Sequence, residues 1–427
     1  MQWFSNPISA KALSVLISLF VFPCLYWLCL ELFKSSLVGW VAIALITISP
    51  YHILLSQGAR EYSFWVLTTV LSSAVVLKAL RLETTQSWLL YTITLVAGFY
   101  SHLFFILVSL SHGIHVFIIA RLQFRKHIIP YLLSSTAALL MFLPWILIIT
   151  TNLEKLEEKT QWVRSNSTNL RKIIESIHYT LGNVFLDFND TTRLEKYLDL
   201  FLLILIAYSL YFLCRRTSRR VWLFLLTLIG ITALAQIVPD LIWQGRRSLQ
   251  ARYFIPAYLA IQLAVAYLIA ICINGSIRVW QQRFWKLIFS GLLIVGIISG
   301  ALISQSRDWD YLYQKGTASS INIRVSTFIN EAERPLVISE ATHSFILALS
   351  YLTDANVKFQ LFNPNDETQW EQKLNLSTVM DQFSDIFVLY ADDKFLNFVD
   401  RDRNFQRELG VSGNGSNKNW LYRVVRK

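Results

Sequence analysis

The sequence predicts a mainly α, polytopic membrane protein: a bundle of about ten transmembrane helices followed by a small extracytoplasmic α/β domain. Three observations carry this. Of the 427 residues, 54% are hydrophobic and only 16% are charged, with a mean hydropathy of +0.44, whereas soluble domains carry about 25% charge. Apolar windows long enough to approach the thickness of a hydrocarbon core recur through residues 1–303. Beyond about Ser304 the pattern changes to short apolar runs separated by polar, helix-compatible stretches.

In order, the expected spans are 11–33, 37–55, 63–80, 88–100, 103–120, 128–150, 197–213, 221–238, 253–273 and 287–303. The first lacks a small-residue cleavage pattern and reads as a mature helix rather than a signal peptide. Cys24, Cys29, Cys214 and Cys272 all lie in or beside spans, where they read as small packing residues and not as a disulfide or zinc framework. The tail from Ser304 offers strand-like runs at 335–340, 357–362, 385–391 and 420–425, with helix-compatible segments at 343–352 and 393–409. That alternation predicts a small α/β domain over 304–427. It contains no glycine-rich phosphate loop.

Charge sets the expected orientation. Residues 304–427 carry 14 basic against 16 acidic residues, leaving 25 against 12 in residues 1–303. The basic excess therefore belongs to the membrane part, in clusters such as Arg121, Arg125 and Lys126, or Arg215, Arg216, Arg219 and Arg220. Positive charge in alternate connections predicts that these face the cytoplasm, and the same clustering argues against nucleic acid as a partner. The Arg60 seam, His102, the loop 151–196, the segment 239–252 and the tail then face outward together.

Arg60 is the most informative residue. It sits in Ser56-Gln57-Gly58-Ala59-Arg60-Glu61-Tyr62, between two apolar stretches. Burial in lipid would cost several kcal/mol, ~2.5 or more by insertion scales, so this charge belongs at a membrane surface or a wet cavity, where it suits an anionic ligand. The bland alternative is an arginine that snorkels to lipid headgroups. Tyr62 could orient Arg60 or stack on a ligand, or it is an interfacial aromatic. His102, between two spans, could bond a ligand or merely a helix-end carbonyl. Trp162 reads as an interfacial anchor or a stacking residue.

The stretch Ser49-Pro50 through Ser56-Gln57 to Ala59-Arg60-Glu61-Tyr62 resembles the signature of polytopic GT-C glycosyltransferases of the protein O-mannosyltransferase and aminoarabinose-transferase superfamily. Tyr100-Ser101-His102, Leu143-Pro144-Trp145, Gln250-Ala251-Arg252-Tyr253 with Pro256, and Asp308-Trp309 extend the likeness in the family's order over roughly residues 10–310. The resemblance implies a GT-C-like domain over residues 1–303 that transfers a sugar from a polyprenyl-phosphate carrier to an acceptor at the outer face of the plasma membrane. The acceptor would be a protein hydroxyl, a glycolipid or a polysaccharide. A departing lipid phosphate needs cations and hydrogen-bond donors in a water-poor site. Arg60, Arg252, Arg246, Arg247, Gln57 and Tyr62 are the expected donor-phosphate residues, with Glu61 and His102 as the candidates for catalytic roles. No spacing requires a metal, although a divalent ion is compatible wherever a carboxylate meets phosphate.

The family keeps its principal aspartate in an outer loop between its first two spans, and this chain begins with what resembles the second. Ten spans with an outward tail also place Met1 outside, so both readings expect a helix and loop upstream. Glu61, Asp187, Asp190 and Asp240 are the outward carboxylates that could substitute. A catalytically inactive scaffold is therefore one alternative to the enzyme. A transporter or flippase is another, disfavoured because the charges lie mainly at span ends.

Overall fold

The computed structural model describes residues 7–120, 124–160, 163, 168–187, 193–275, 278–305, 318–341, 343–362, 379, 381–390, 393–401, 404–411 and 420–426. Trp162, Asp190 and the Asp308-Trp309 pair lie outside the described residues. The chain divides into two compact units, Met1–Gln305 and Ser306–Lys427.

The first unit is helical: α1 Pro7–Phe33, α2 Ser36–Thr47, α3 Pro50–Gln57, α4 Tyr62–Leu82, α5 Thr85–Ser101, α6 Phe105–Ala120, α7 Ile129–Thr151, α8 Leu153–Thr160, α9 Leu170–Asn183, α10 Arg193–Arg216, α11 Arg219–Trp243, α12 Ile255–Asn274 and α13 Val279–Gln305. Among the described residues seven helices are long and apolar enough to cross a membrane, or eight if α2 and α3, bent by 66° at their break, count as one span. The chain is thus built as a multi-pass membrane protein.

Three features refine the sequence expectation. The stretch 37–55 is not one straight helix, because Ser49-Pro50 ends α2 and restarts the chain as α3, with proline at the first helical turn and Ser49 capping His52 N–H. The windows 88–100 and 103–120 became α5 and α6, of 17 and 16 residues. At 1.5 Å per residue these are about 25 Å long, short of a ~30 Å hydrocarbon core. The stretch 151–196, expected as a loop, holds two further helices, α8 and α9, the second capped by Asn169.

α12 explains the packing of the bundle. Every residue from Ile255 to Ala270 is buried, as expected for a helix that is apolar all round. Its alanines at 257, 260, 264, 266 and 270 let neighbouring backbones approach closely. α2, α10, α11 and α13 surround it. α7 and α13 instead expose most of their apolar surface, which suits contact with lipid tails.

The unit has two chemically distinct ends. At one, Arg81 makes a bidentate pair with Glu31 (Nε–Oε2 2.9 Å, Nη2–Oε1 2.7 Å), Lys126 and His127 approach Glu83 at 3.4 and 3.2 Å, and Tyr267 donates to the Arg216 carbonyl. The basic clusters and their counter-carboxylates gather there. At the other end lie the seam from Gln57 to Tyr62, His102 and the segment 244–254.

The second unit holds helices α14 Ala318–Asn330, α15 His343–Ser350 and α16 Asp393–Arg401, and strands β1 Pro335–Ser339, β2 Lys358–Leu361, β3 Asp385–Leu389, β4 Phe405–Val411 and β5 Leu421–Arg426. The sheet order is β2-β1-β3-β5-β4. β1, β2 and β3 run parallel, and β5 is antiparallel to β3 and β4. α14 and α15 cover one face against Val337, Phe387 and Leu389. α16 covers the other against Leu336, Ile338, Ile386 and Val388. β1 and β3 are buried at every position, which is why they read as unbroken apolar runs. The expected helical segment 393–409 is corrected: it breaks after Arg401, and residues 405–411 form the edge strand β4. Buried Phe405 and Val411 mark its ends, and a pairing edge on β5 outweighs local helix propensity.

Candidate functional site

The site is assembled from helix ends. α3 stops at Gly58, and three bent residues lead to α4. Ser63 Oγ donates to the Leu55 carbonyl at 3.1 Å, and Ser14 Oγ donates to the Arg60 carbonyl at 3.4 Å. The first bond ties α4 to α3 and the second ties the seam to α1, while Arg60 and Glu61 are exposed. Gln57 is half-buried in the last turn of α3. Tyr62, the first residue of α4, is buried, and its ring centre lies 6.3 Å from that of His102.

His102 is the centre of the arrangement. It ends α5 in extended conformation, and its Nδ1 accepts the Phe104 backbone N–H at 3.1 Å. A neutral imidazole bonded this way carries its proton on Nε2. Burial first, and then the nearby Arg252 guanidinium, push its pKa down to about 4. His102 is thus held as a neutral hydrogen-bond donor at Nε2. Trp65, fully buried one turn into α4, lies flat on the imidazole at 3.9 Å with an interplanar angle of 1°. Tyr253 and Phe104 close the other sides, at 6.3 and 5.5 Å from His102.

Arg252 enters from the segment between α11 and α12. It is buried, with its guanidinium carbon 5.2 Å from the Tyr253 ring centre, a cation–π distance. Tyr51 of α3 anchors this segment by donating to the Ala251 carbonyl at 3.0 Å. Arg246 and Arg247 lie half-buried on the same segment, and the Arg246 backbone N–H bonds the Val163 carbonyl at 2.8 Å.

The structure therefore joins Tyr62, His102 and Arg252 through shared aromatic neighbours. Arg60, Glu61 and Gln57 lie on the adjoining rim, and Arg246 and Arg247 sit upstream of Arg252. Trp65, Phe104 and Tyr51 were absent from the sequence-based site. Trp65 could have been found, since it falls one turn after Tyr62 on the same helix face; Tyr51 could not, because its partner is 200 residues away.

The Asp240 carboxylate has another role. Asp240 is buried, and its Oδ2 accepts both the backbone N–H and the hydroxyl of Ser248 at 2.6 Å. Gly245 makes room for it, since a Cβ there would collide with Asp240 Oδ1 and crowd the Val163 carbonyl. Asp187 is buried where its backbone N–H and carbonyl both bond Ser299 Oγ. Glu61 is the exposed carboxylate beside the cluster. Among the described residues no three His, Cys, Asp or Glu side chains are grouped to hold a metal ion.

Beside the seam a groove of about 80 Å³ runs between α1, α2, α3 and α4. Val21, Phe22, Ile46, Ile53, Leu55 and Val66 make it apolar, with Ser18, Thr47, Ser56, Ser63 and His52 as its polar points. No protein-family model matches the chain, and no curated protein matches it either.

Proposed function

We propose that the chain is a membrane glycosyltransferase that takes its sugar from a polyprenyl-phosphate donor. The observation that carries this reading is the buried Arg252 guanidinium sharing an aromatic enclosure with neutral His102. A buried cation and an imidazole N–H donor in a water-poor setting suit a phosphate leaving group. The apolar groove beside the seam suits an isoprenoid chain, and the ordered motifs that resemble GT-C enzymes add to the case.

In this reading an acceptor hydroxyl attacks the anomeric carbon, the bond from that carbon to the phosphate oxygen breaks, and the polyprenyl phosphate leaves with the electron pair. Arg252 binds the leaving phosphate, with Arg60, Arg246 and Arg247 steering it to the lip. His102 donates Nε2–H to a phosphate oxygen, and Tyr62 lines the enclosure. Glu61, at the rim, is the candidate to receive the acceptor proton.

A second reading is favoured by one observation. The Asp240 carboxylate is taken up by Ser248, and Glu61 lies on the exposed rim, so neither of these two described carboxylates sits inside the enclosure as a base. In that case the protein binds the lipid donor without turnover, as a scaffold. The test uses the full chain in nanodiscs with polyprenyl phosphate, read by native mass spectrometry, together with transfer from radiolabelled polyprenyl-phosphate hexoses. Arg252→Gln should weaken polyprenyl phosphate binding at least tenfold. Binding without transfer selects the scaffold, and equal binding by wild type and Arg252→Gln rejects the phosphate site.

A further inference from the structure

The second unit carries a feature unrelated to lipid phosphate. β1 leads to α15 on one face of the sheet, whereas β3 leads to α16 on the opposite face. The connections diverge between two adjacent parallel strands, which leaves a crevice at their carboxyl ends, the place where open α/β sheets bind ligands. Three aromatic residues converge there: Phe345 in the first turns of α15, Tyr390 just after β3 and Trp420 just before β5. Their ring centres are 5.2 Å (Tyr390–Trp420), 6.1 Å (Phe345–Tyr390) and 6.5 Å (Phe345–Trp420) apart, and the planes lie within 35° of one another.

Tyr390 is the telling member. Its φ is +52°, a left-handed conformation that costs a side-chain-bearing residue roughly 1–2 kcal/mol and is usually given to glycine or asparagine. The side chain nonetheless stays half exposed, at 48%. The backbone is held in place by the Tyr390 N–H bond to the Trp420 carbonyl at 3.0 Å. Phe345 and Trp420 lean on the core below, so they form a rigid base under an exposed ring. Strain maintained to display an aromatic ring at a switch-point crevice is the kind of local cost that accompanies a binding site.

The charge at the crevice selects among ligands. The register pairs Ser339 with Leu389, which sets Glu340 next to Tyr390, and α16 begins with exposed Asp393. These two carboxylates oppose a phosphate-bearing ligand. They suit a neutral ligand with an apolar face and several hydroxyls. A pyranose has both: its axial C–H bonds pack on an aromatic face, and its hydroxyls donate to carboxylates.

We propose that the second unit is a glycan-binding module, in which a pyranose ring stacks on the Phe345–Tyr390–Trp420 platform with Glu340 hydrogen-bonding its hydroxyls. The site binds sugar with no chemical step and is independent of the transfer reaction. The test is saturation-transfer NMR on the full chain in nanodiscs with the methyl pyranosides of mannose, glucose, galactose and N-acetylglucosamine. At least one should receive saturation on its axial C–H protons. Tyr390→Gly removes the ring and relieves the backbone, so its melting temperature should match or exceed that of wild type while the signal falls at least fivefold. Arg252→Gln should leave the signal unchanged, which separates this site from the donor site. No transfer to any of the four sugars, or an undiminished signal in Tyr390→Gly, overturns the proposal.

Discussion

At the scale of single residues, His102 shows how one backbone bond fixes a chemical role. Because Nδ1 accepts the Phe104 N–H, the proton resides on Nε2 and the ring presents a donor. Its pKa is pushed down to about 4, mainly by burial and then by Arg252. A folded value below the unfolded one, near 6.5, means that the unfolded chain binds the extra proton first. The contribution of His102 to stability is therefore whole above pH 6.5 and is lost as pH falls from there toward 4. Histidine labelled at ring carbon ε1 should show one signal, absent in His102→Asn, that titrates near pH 4. In Arg252→Gln the same signal should titrate higher, since the opposing charge is gone. A midpoint near 6.5 in wild type would place the imidazole in water, outside the enclosure.

At the scale of elements, the α5–α6 turn decides where His102 points. Gly98 of α5 faces the Phe105 ring so closely that a Cβ would overlap it, and Phe105 is fully buried, so it cannot swing away into solvent. Gly98→Ala should destabilise the protein by about 1–3 kcal/mol through overpacking, seen as a lower midpoint of unfolding in detergent, and should loosen polyprenyl phosphate binding in step. Unchanged stability would mean that the two helices separate freely at this point. Elements also show what the sequence could convey. Strands β1 and β3 were legible because burial on both faces makes them uniformly apolar. β4 was not, because its exposed residues Gln406, Glu408 and Leu409 mimic a helix surface and only pairing with β5 gives it form. The Ser49-Pro50 break was legible as a motif but not as a 66° bend, since the packing there involves residues distant in sequence, such as the Val184 carbonyl that accepts from Ser49 Oγ.

At the scale of the molecule, polar chemistry is divided between the two ends of the helical unit. Charge alternation along the sequence anticipated this division. It also grouped Arg60, His102 and Arg252 at one end, but it did not foresee which would be enclosed and which would lie on the rim. That depends on contacts between residues more than a hundred positions apart. Sidedness follows as a prediction. In a chain lacking its four native cysteines, single cysteines at Arg60 and Arg247 should react with the same impermeant thiol reagent applied from outside. One at Lys126 should react only after the membrane is opened. Equal labelling at positions 60 and 126 would contradict the alternation.

One small feature has a large reach. Asp240 can tuck under Ser248 only because residue 245 has no side chain, so the ribbon carrying three arginines takes its aim from a single hydrogen atom. A descendant with alanine at that position would keep every guanidinium in its sequence and direct them elsewhere. Its ligand preference would drift while its charge count stayed the same.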